Sequence, residues 1–231
     1  MRIAMLEDDL DVGAAIKQWL EAAGHGVHHF ASGKAIAREA NRESFELYLL
    51  DWQVPDMSGT EVLKWLREKL NIDSPVLFIT SRDSEADIVM ALTAGADDYM
   101  VKPVRRLELL ARVDALSRRV KFRPNENENI ECGLYFVDLA NRVVKLDGAA
   151  VEMTDKEFEL SVFLFRNIDQ LLSRGHITES VWGHSAEVQS RTVDTHISRL
   201  RKKLDFGAAR GLRLTPIYNF GYRLEKVSIP T

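Results

Sequence analysis

A single cysteine, Cys132, among 231 residues leaves no partner for an intrachain disulfide and no second thiolate for a multi-cysteine zinc site. Long hydrophobic runs are missing as well, since no stretch approaches the roughly 18 apolar residues that a membrane-spanning helix needs. The N-terminus passes from Met1-Arg2 through Ile3-Ala4-Met5-Leu6 straight into acids, without the layout of a signal peptide. These absences predict a cytoplasmic chain, away from membranes, with a purely structural thiol. Material for a core is not lacking: 45% hydrophobic and 29% charged is ordinary globular composition, and the length favours two domains. The net charge of -4 is unevenly distributed. Residues 1–118 hold 14 Lys and Arg against 20 Asp and Glu, whereas the remainder holds 17 against 15.

In the first half, short apolar runs alternate with amphipathic stretches. Ile3 to Leu6, Val27 to Phe30, Leu47 to Leu50, Val76 to Ile79 and Tyr99 to Val101 are the strand candidates. Five strands separated by helices predict a flavodoxin-like, doubly wound parallel sheet. Gly24 follows the first helix, Ser32 and Ser58 cap the next two, and Ser84-Glu85-Ala86-Asp87 reads as a capping box. The fifth helix, from Arg105 to about Val120, sets Leu107, Leu110, Val113 and Leu116 on an expected core stripe. Residues 121–129, Lys-Phe-Arg-Pro-Asn-Glu-Asn-Glu-Asn, have almost nothing to bury and read as a linker between domains 1–120 and 130–231.

Glu7, Asp8 and Asp9 follow the first strand, Asp51 and Thr80 end the third and fourth, and Lys102 follows the fifth. All six therefore fall at the carboxyl edge of one sheet. In the strand order 2-1-3-4-5 the crevice lies between strands one and three, which brings Glu7 and Asp8 beside Asp51. Crowded carboxylates repel, so they take up protons or a cation, and hard oxygen ligands without His or Cys favour Mg²⁺. Asp51 is then a candidate nucleophile toward phosphorus, with Lys102 and Thr80 placed to meet phosphoryl oxygens. An aspartate-nucleophile phosphatase would use similar parts, but it needs a second acid two residues beyond the nucleophile, where this chain has Gln53.

These residues, with Pro55-Asp56-Met57-Ser58-Gly59, Gly95-Ala96-Asp97-Asp98-Tyr99 and Lys102-Pro103, resemble the receiver domain of two-component response regulators. The resemblance implies that Asp51 accepts a phosphoryl group from a sensor histidine kinase. It further implies Mg²⁺ held by Glu7, Asp8, Asp51 and the Gln53 backbone carbonyl, Lys102 on the phosphoryl group, and Thr80 with Tyr99 as a switch pair. A dimer face would use Asp98, Arg112 and Glu108. Two positions depart from the family pattern: Val104 stands where Phe is usual, and Ile88 where a basic residue pairs with the acid at 108.

Beyond the linker, strand-like pieces at Leu134 to Val137, Val143 to Leu146 and Val151 to Met153 precede three helical stretches and a hairpin with Gly221 at its bend. In the third helical stretch Val193, Ile197, Leu200 and Leu204 form one apolar stripe, while Arg191, Thr195, Ser198, Arg199 and Lys202 point away from it. An apolar back and a basic, hydrogen-bonding front suit a DNA major groove. Met153-Thr154-Asp155-Lys156-Glu157-Phe158-Glu159-Leu160, Val181-Trp182-Gly183, the run 191–204 and Phe220-Gly221-Tyr222-Arg223-Leu224 resemble the OmpR/PhoB winged helix-turn-helix, an α+β domain. That resemblance implies double-stranded promoter DNA as a partner, met by Arg191, Thr192, Thr195, Ser198, Arg199, Lys202 and Arg223. It also places Trp182 in the core and gives Gly183 to Gln189 as a loop that can meet RNA polymerase. Tyr218-Asn219 replaces the Arg-Gly pair of many relatives, which leaves Arg213 or Arg223 for the DNA backbone.

The whole chain thus reads as a phosphorylation-dependent transcriptional regulator that forms a homodimer when phosphorylated. It is expected to be no enzyme beyond self-phosphorylation and slow self-dephosphorylation. A constitutive DNA-binding protein with a receiver serving only to dimerise is the other reading, and the intact acidic set argues against it.

Overall fold

The structure is a computed structural model that describes residues 1–120, 129–183 and 190–228. The chain divides into two compact units, Met1–Phe122 and Arg123–Thr231. The boundary falls inside the expected linker, of which residues 121–128 lie outside the described residues.

In the N-terminal unit β1 (Arg2–Leu6), β2 (Gly26–Phe30), β3 (Leu47–Leu50), β4 (Val76–Thr80) and β5 (Asp98–Val101) form a parallel sheet in the order β2-β1-β3-β4-β5. β1, β3 and β4 are apolar at nearly every position because helices cover both faces of the sheet. Alternate residues go to opposite sides. Ile3, Met5, Leu47, Leu49, Leu77 and Ile79 pack with α1 (Leu10–Ala22) and α5 (Arg106–Val120). Ala4, Leu6, Tyr48, Leu50, Val76 and Phe78 pack with α2 (Gly33–Ala40), α3 (Gly59–Lys64) and α4 (Glu85–Thr93). α3 runs on through one π-type turn at Trp65–Lys69.

Ser32, Ser58 and Ser84 cap α2, α3 and α4 as expected, but only Ser58 forms a reciprocal box, with Glu61. At Ser84 the box is half made, because the Asp87 carboxylate accepts from the Ser84 hydroxyl and from Arg82. The expected stripe of α5 needs correction. Leu107 is 81% exposed, and the buried apolar residues are Leu109, Val113 and Leu116. Leu107 and Leu109 are two positions apart, about 200° around the helix, so only one of them can face the sheet.

In the C-terminal unit β6 (Ile130–Cys132), β7 (Tyr135–Asp138), β8 (Val143–Leu146) and β9 (Ala149–Val151) pair antiparallel in chain order. Then follow α6 (Asp155–Arg166), β10 (Leu172–Ser173), α7 (Arg174–Trp182), α8 (Ser190–Leu204), β11 (Leu212–Ile217) and β12 (Gly221–Lys226). This is the expected winged-helix succession, and one core unites Leu160 and Leu164 of α6, Ile177 and Val181 of α7, the α8 stripe and Leu214 and Leu224 of the hairpin.

Three details differ from expectation. β6 and β10 were not expected, and the third predicted strand lies at 149–151 because Met153 and Thr154 lead into the cap of α6. The hairpin bend is made by Asn219, at φ 55, and not by Gly221. Gly221 opens β12, which pairs antiparallel with β10 so closely that a Cβ would lie 2.0 Å from the Leu172 carbonyl oxygen. Among the described residues no helix is long and apolar enough to cross a membrane.

Candidate functional site

The carboxyl edge of the parallel sheet gathers the acids. Glu7 leaves β1 with its backbone still tied to β2, its N–H donating to the Phe30 carbonyl at 3.0 Å. Asp9 is spent on the helix that follows: its carboxylate caps α1 by accepting from the N–H groups of Asp11 and Val12. Glu7 and Asp8 remain, and each offers a carboxylate oxygen to a group with Asp51 in which all three oxygens lie within 4.8 Å of one another. Glu7 and Asp51 are buried and Asp8 is exposed, so the group opens to solvent on one side.

Lys102 arrives from the end of β5. Its Nζ lies 2.7 Å from Asp51 Oδ2 and 2.7 Å from Glu7 Oε2, bridging the two buried acids. Burial opposes the ammonium charge, but the two hydrogen-bonded carboxylates outweigh it and hold Lys102 above the ordinary lysine range. Burial also pushes Glu7 up, against the pull of Lys102. Asp51 Oδ1 accepts from the Gln53 N–H at 3.2 Å, which orients the carboxylate. The donor set is all oxygen, without His or Cys, which suits a hard divalent cation.

Thr80 is fully buried at the end of β4 and its hydroxyl accepts from the Arg82 N–H at 3.3 Å. Tyr99 already lies inward, its hydroxyl donating to the Arg82 carbonyl at 2.8 Å. Arg82, which the sequence reading missed, ties this corner together. Its guanidinium lies 5.0 Å from the Trp52 ring centroid and 2.9 Å from Asp87 on α4. A basic residue two positions beyond a strand-ending Thr was the available signal. On the expected dimer face, Arg112 bonds both oxygens of Asp98 at 2.9 Å and Glu108 at 2.8 Å within the same chain.

In the C-terminal unit the buried stripe of α8 is as expected: Val193, Ile197, Leu200 and Leu204 are enclosed. Thr195, Ser198, Arg199 and Lys202 are exposed and Thr192 is half-buried. The Arg191 side chain and the expected RNA polymerase loop at 184–189 lie outside the described residues. The bases of this helix divide by task. Arg201 donates to the Leu214 carbonyl at 3.0 Å, and Lys203 reaches Glu157 at 2.8 Å, so both hold the unit together. Arg199 and Lys202 have no side-chain partner among the described residues.

Asp194 fixes the helix in place. It accepts from Tyr222 of β12 at 2.6 Å and from Arg174 of α7 at 2.9 Å. His196 is a packing residue, its Nδ1 donating to the Thr192 carbonyl at 2.8 Å and its ring meeting Trp182 edge-on at 5.2 Å. Trp182 packs against the core as expected. In the hairpin Arg223 is half-buried, Arg213 exposed, and Tyr218 stands at the tip with 91% of its surface exposed.

Residues 3–114 match the response regulator receiver domain, and residues 148–224 the C-terminal domain of transcriptional regulatory proteins. The chain is 34% identical over 225 residues to the sensory transduction protein RegX3 of Mycobacterium tuberculosis, across 96% of this chain and 98% of that one. It is also 34% identical over 226 residues to the phosphate regulon transcriptional regulatory protein PhoB of Rhizobium meliloti, across 97% and 98%. The receiver domain of the Francisella response regulator 1452 superposes on 52% of this chain and 98% of its own length, with TM-score 0.50 and 32% identity. With an acidic receiver site in one unit, a basic-fronted winged helix in the other and relatives matched end to end, the chain belongs to the OmpR/PhoB family of two-component response regulators, which regulate transcription by binding DNA.

Proposed function

We propose that this regulator is switched by phosphorylation of Asp51. A carboxylate oxygen of Asp51 attacks the phosphorus of a phosphohistidine on a sensor histidine kinase, the P–N bond breaks, and an acyl phosphate remains on Asp51. The observation that carries this reading is the enclosure of Asp51 with Glu7, Asp8 and Lys102 at one sheet edge. Lys102 is at hydrogen-bond distance from the attacking carboxylate and neutralises an arriving phosphoryl oxygen. Thr80 supplies a hydroxyl to another oxygen, and its movement draws on the Arg82 and Tyr99 contacts that reach α4. Mg²⁺, held by Glu7, Asp8, Asp51 and the Gln53 carbonyl, supplies charge neutralisation to the phosphoryl group when bound. With Gln53 and no acid at that position, nothing protonates a departing alcohol, so turnover is confined to self-phosphorylation and slow self-hydrolysis.

The phosphorylated chain pairs with a second copy through α4, β5 and α5. Val89, Met90, Val101 and Leu107 are exposed there, beside Asp98, Arg112 and Glu108. Pairing places two α8 helices on adjacent DNA half-sites, with Thr192, Thr195, Ser198, Arg199 and Lys202 toward the groove, and the segment Gly183 to Gln189 toward RNA polymerase. Incubation with a small phosphodonor and Mg²⁺ is expected to label the wild type with a base-labile acyl phosphate. Asp51→Ala abolishes it, and persistent labelling of that variant would overturn the assignment. Beryllofluoride, which mimics the phosphoryl group, is expected to double the solution mass of the wild type and to leave Asp51→Ala unchanged.

A further inference from the structure

Glu7 and Asp8 are neighbours in sequence, and two adjacent side chains converge on one cation only if the peptide between them is held in a fixed orientation. That peptide sits where the sheet ends. The Glu7 N–H still donates to Phe30 of β2, but β2 stops at Phe30 and the chain turns into the Ser32 cap of α2. The Glu7 carbonyl instead meets a side chain, with His29 Nε2 at 2.7 Å. A carbonyl oxygen only accepts, so Nε2 carries the hydrogen and donates it.

Room for this bond is made by a glycine. Gly13 lies on the buried face of α1 with Ile16 and Leu20, a place where an apolar side chain would ordinarily pack. A Cβ on Gly13 would lie 2.4 Å from His29 Cε1 and 2.6 Å from Nε2. Gly13 is helical and needs no unusual φ, and the three atoms nearest to a Cβ there all belong to the imidazole. Gly13 and His29 are therefore a matched pair, and the bond they permit ends on the backbone of an acid already assigned to the site.

We propose that His29, admitted by Gly13, is a positioning residue for the metal site: by clamping the Glu7–Asp8 peptide it sets the affinity of this chain for Mg²⁺. The inference rests on the reading of Glu7, Asp8 and Asp51 as cation ligands. Groups that orient a ligand without touching the metal commonly change affinity by about ten- to a hundredfold when removed.

Isothermal titration of Mg²⁺ into the full chain, with thermal unfolding recorded in the absence of Mg²⁺, tests it. His29→Ala is expected to weaken binding about tenfold. His29→Gln keeps a side-chain N–H donor and is expected to recover most of the loss. Gly13→Ala weakens binding like His29→Ala in the wild-type background and adds nothing to His29→Ala, the signature of two residues acting through one contact. A merely structural role would move unfolding temperatures without separating Gln from Ala in affinity. Wild-type affinity in His29→Ala, or a Gln variant as weak as Ala, would overturn the inference; should His29→Ala not fold, the Gln and Gly13 variants decide it. A wild-type chain that takes up no Mg²⁺, or an Asp51→Asn variant that takes it up equally, would instead overturn the metal reading beneath it.

Discussion

Tyr48 is fully enclosed on β3, its ring 5.7 Å from that of Phe45, and its hydroxyl has no hydrogen-bond partner among the described residues. Burial raises its pKa and keeps it neutral, but the desolvated hydroxyl gives nothing back. Tyr48→Phe is expected to hold stability or raise it by up to about 1 kcal/mol, measured by urea unfolding. Asp56 is the opposite case, an exposed carboxylate with many partners. It accepts from the Ser32 hydroxyl at 2.6 Å, the Gly33 N–H at 2.9 Å and the Lys34 N–H at 3.0 Å, at the start of α2. The Ser32 hydroxyl first, then these backbone donors, hold it well below the ordinary aspartate value of 3.8. Since the folded pKa is the lower one, the stabilisation is complete above the unfolded value and is lost as pH falls through the folded one. Unfolding titrations at successively lower pH should therefore show a shallower acid decline in Asp56→Asn than in the wild type. The Ser32 cap was legible in sequence because capping is local. Its partner Asp56 was not, since 24 residues separate them and only the fold brings them together.

Elements held by regular periodicity were read well, and those held by single contacts were not. The inner strands β1, β3 and β4 stood out as apolar runs because burial on both faces leaves little room for polar residues, while the edge strands β2 and β5, which carry His28, His29 and Asp98, were still found from their apolar remainder. β6 and β10, three and two residues long, are too short to carry a period. α5 carries Leu at 107, 109 and 110, so two stripes fit the sequence, and only packing chooses Leu109. The π-type turn after α3 left no mark in the pattern, yet it carries a side chain that ties three parts of the N-terminal unit together. Arg67 donates to the carbonyls of Ile72 at 2.6 Å, Ser74 at 2.9 Å and Gly95 at 3.0 Å, and pairs with Asp97 at 3.2 Å. One side chain thereby joins the end of α3, the approach to β4 and the end of α4. Arg67→Ala is expected to cost about 2 kcal/mol, read as a lower urea midpoint with unchanged slope.

At the scale of the whole chain, charge is sorted by task. The acidic excess, 16 Lys and Arg against 20 Asp and Glu, lies in the unit that gathers carboxylates, whereas the unit that meets polyanionic DNA is balanced at 15 against 15 and concentrates bases on α8. Composition could locate that sorting but could not say which bases of α8 are available, since five of them stand in one run. The fold separates Arg201 and Lys203, which are engaged with the hairpin and α6, from Arg199 and Lys202, which face solvent. Arg199→Ala is expected to weaken specific binding by about 1 to 3 kcal/mol if it reads a base, with an unchanged unfolding temperature. Arg201→Ala is expected to lower the unfolding temperature first. Fluorescence anisotropy on a cognate DNA fragment, paired with thermal scans of the same samples, separates the two.

The pairing of β10 with β12 bears on how such a regulator can be re-engineered. Because Gly221 lies against the Leu172 carbonyl, and the Arg174 N–H donates to the Phe220 carbonyl at 3.3 Å, the root of the wing is stitched to the start of α7. The two residues beyond that stitch, Tyr218 and Asn219, form the tip of the wing. New tips of the same length can be grafted there while the span from α8 to the wing stays set by the scaffold beneath.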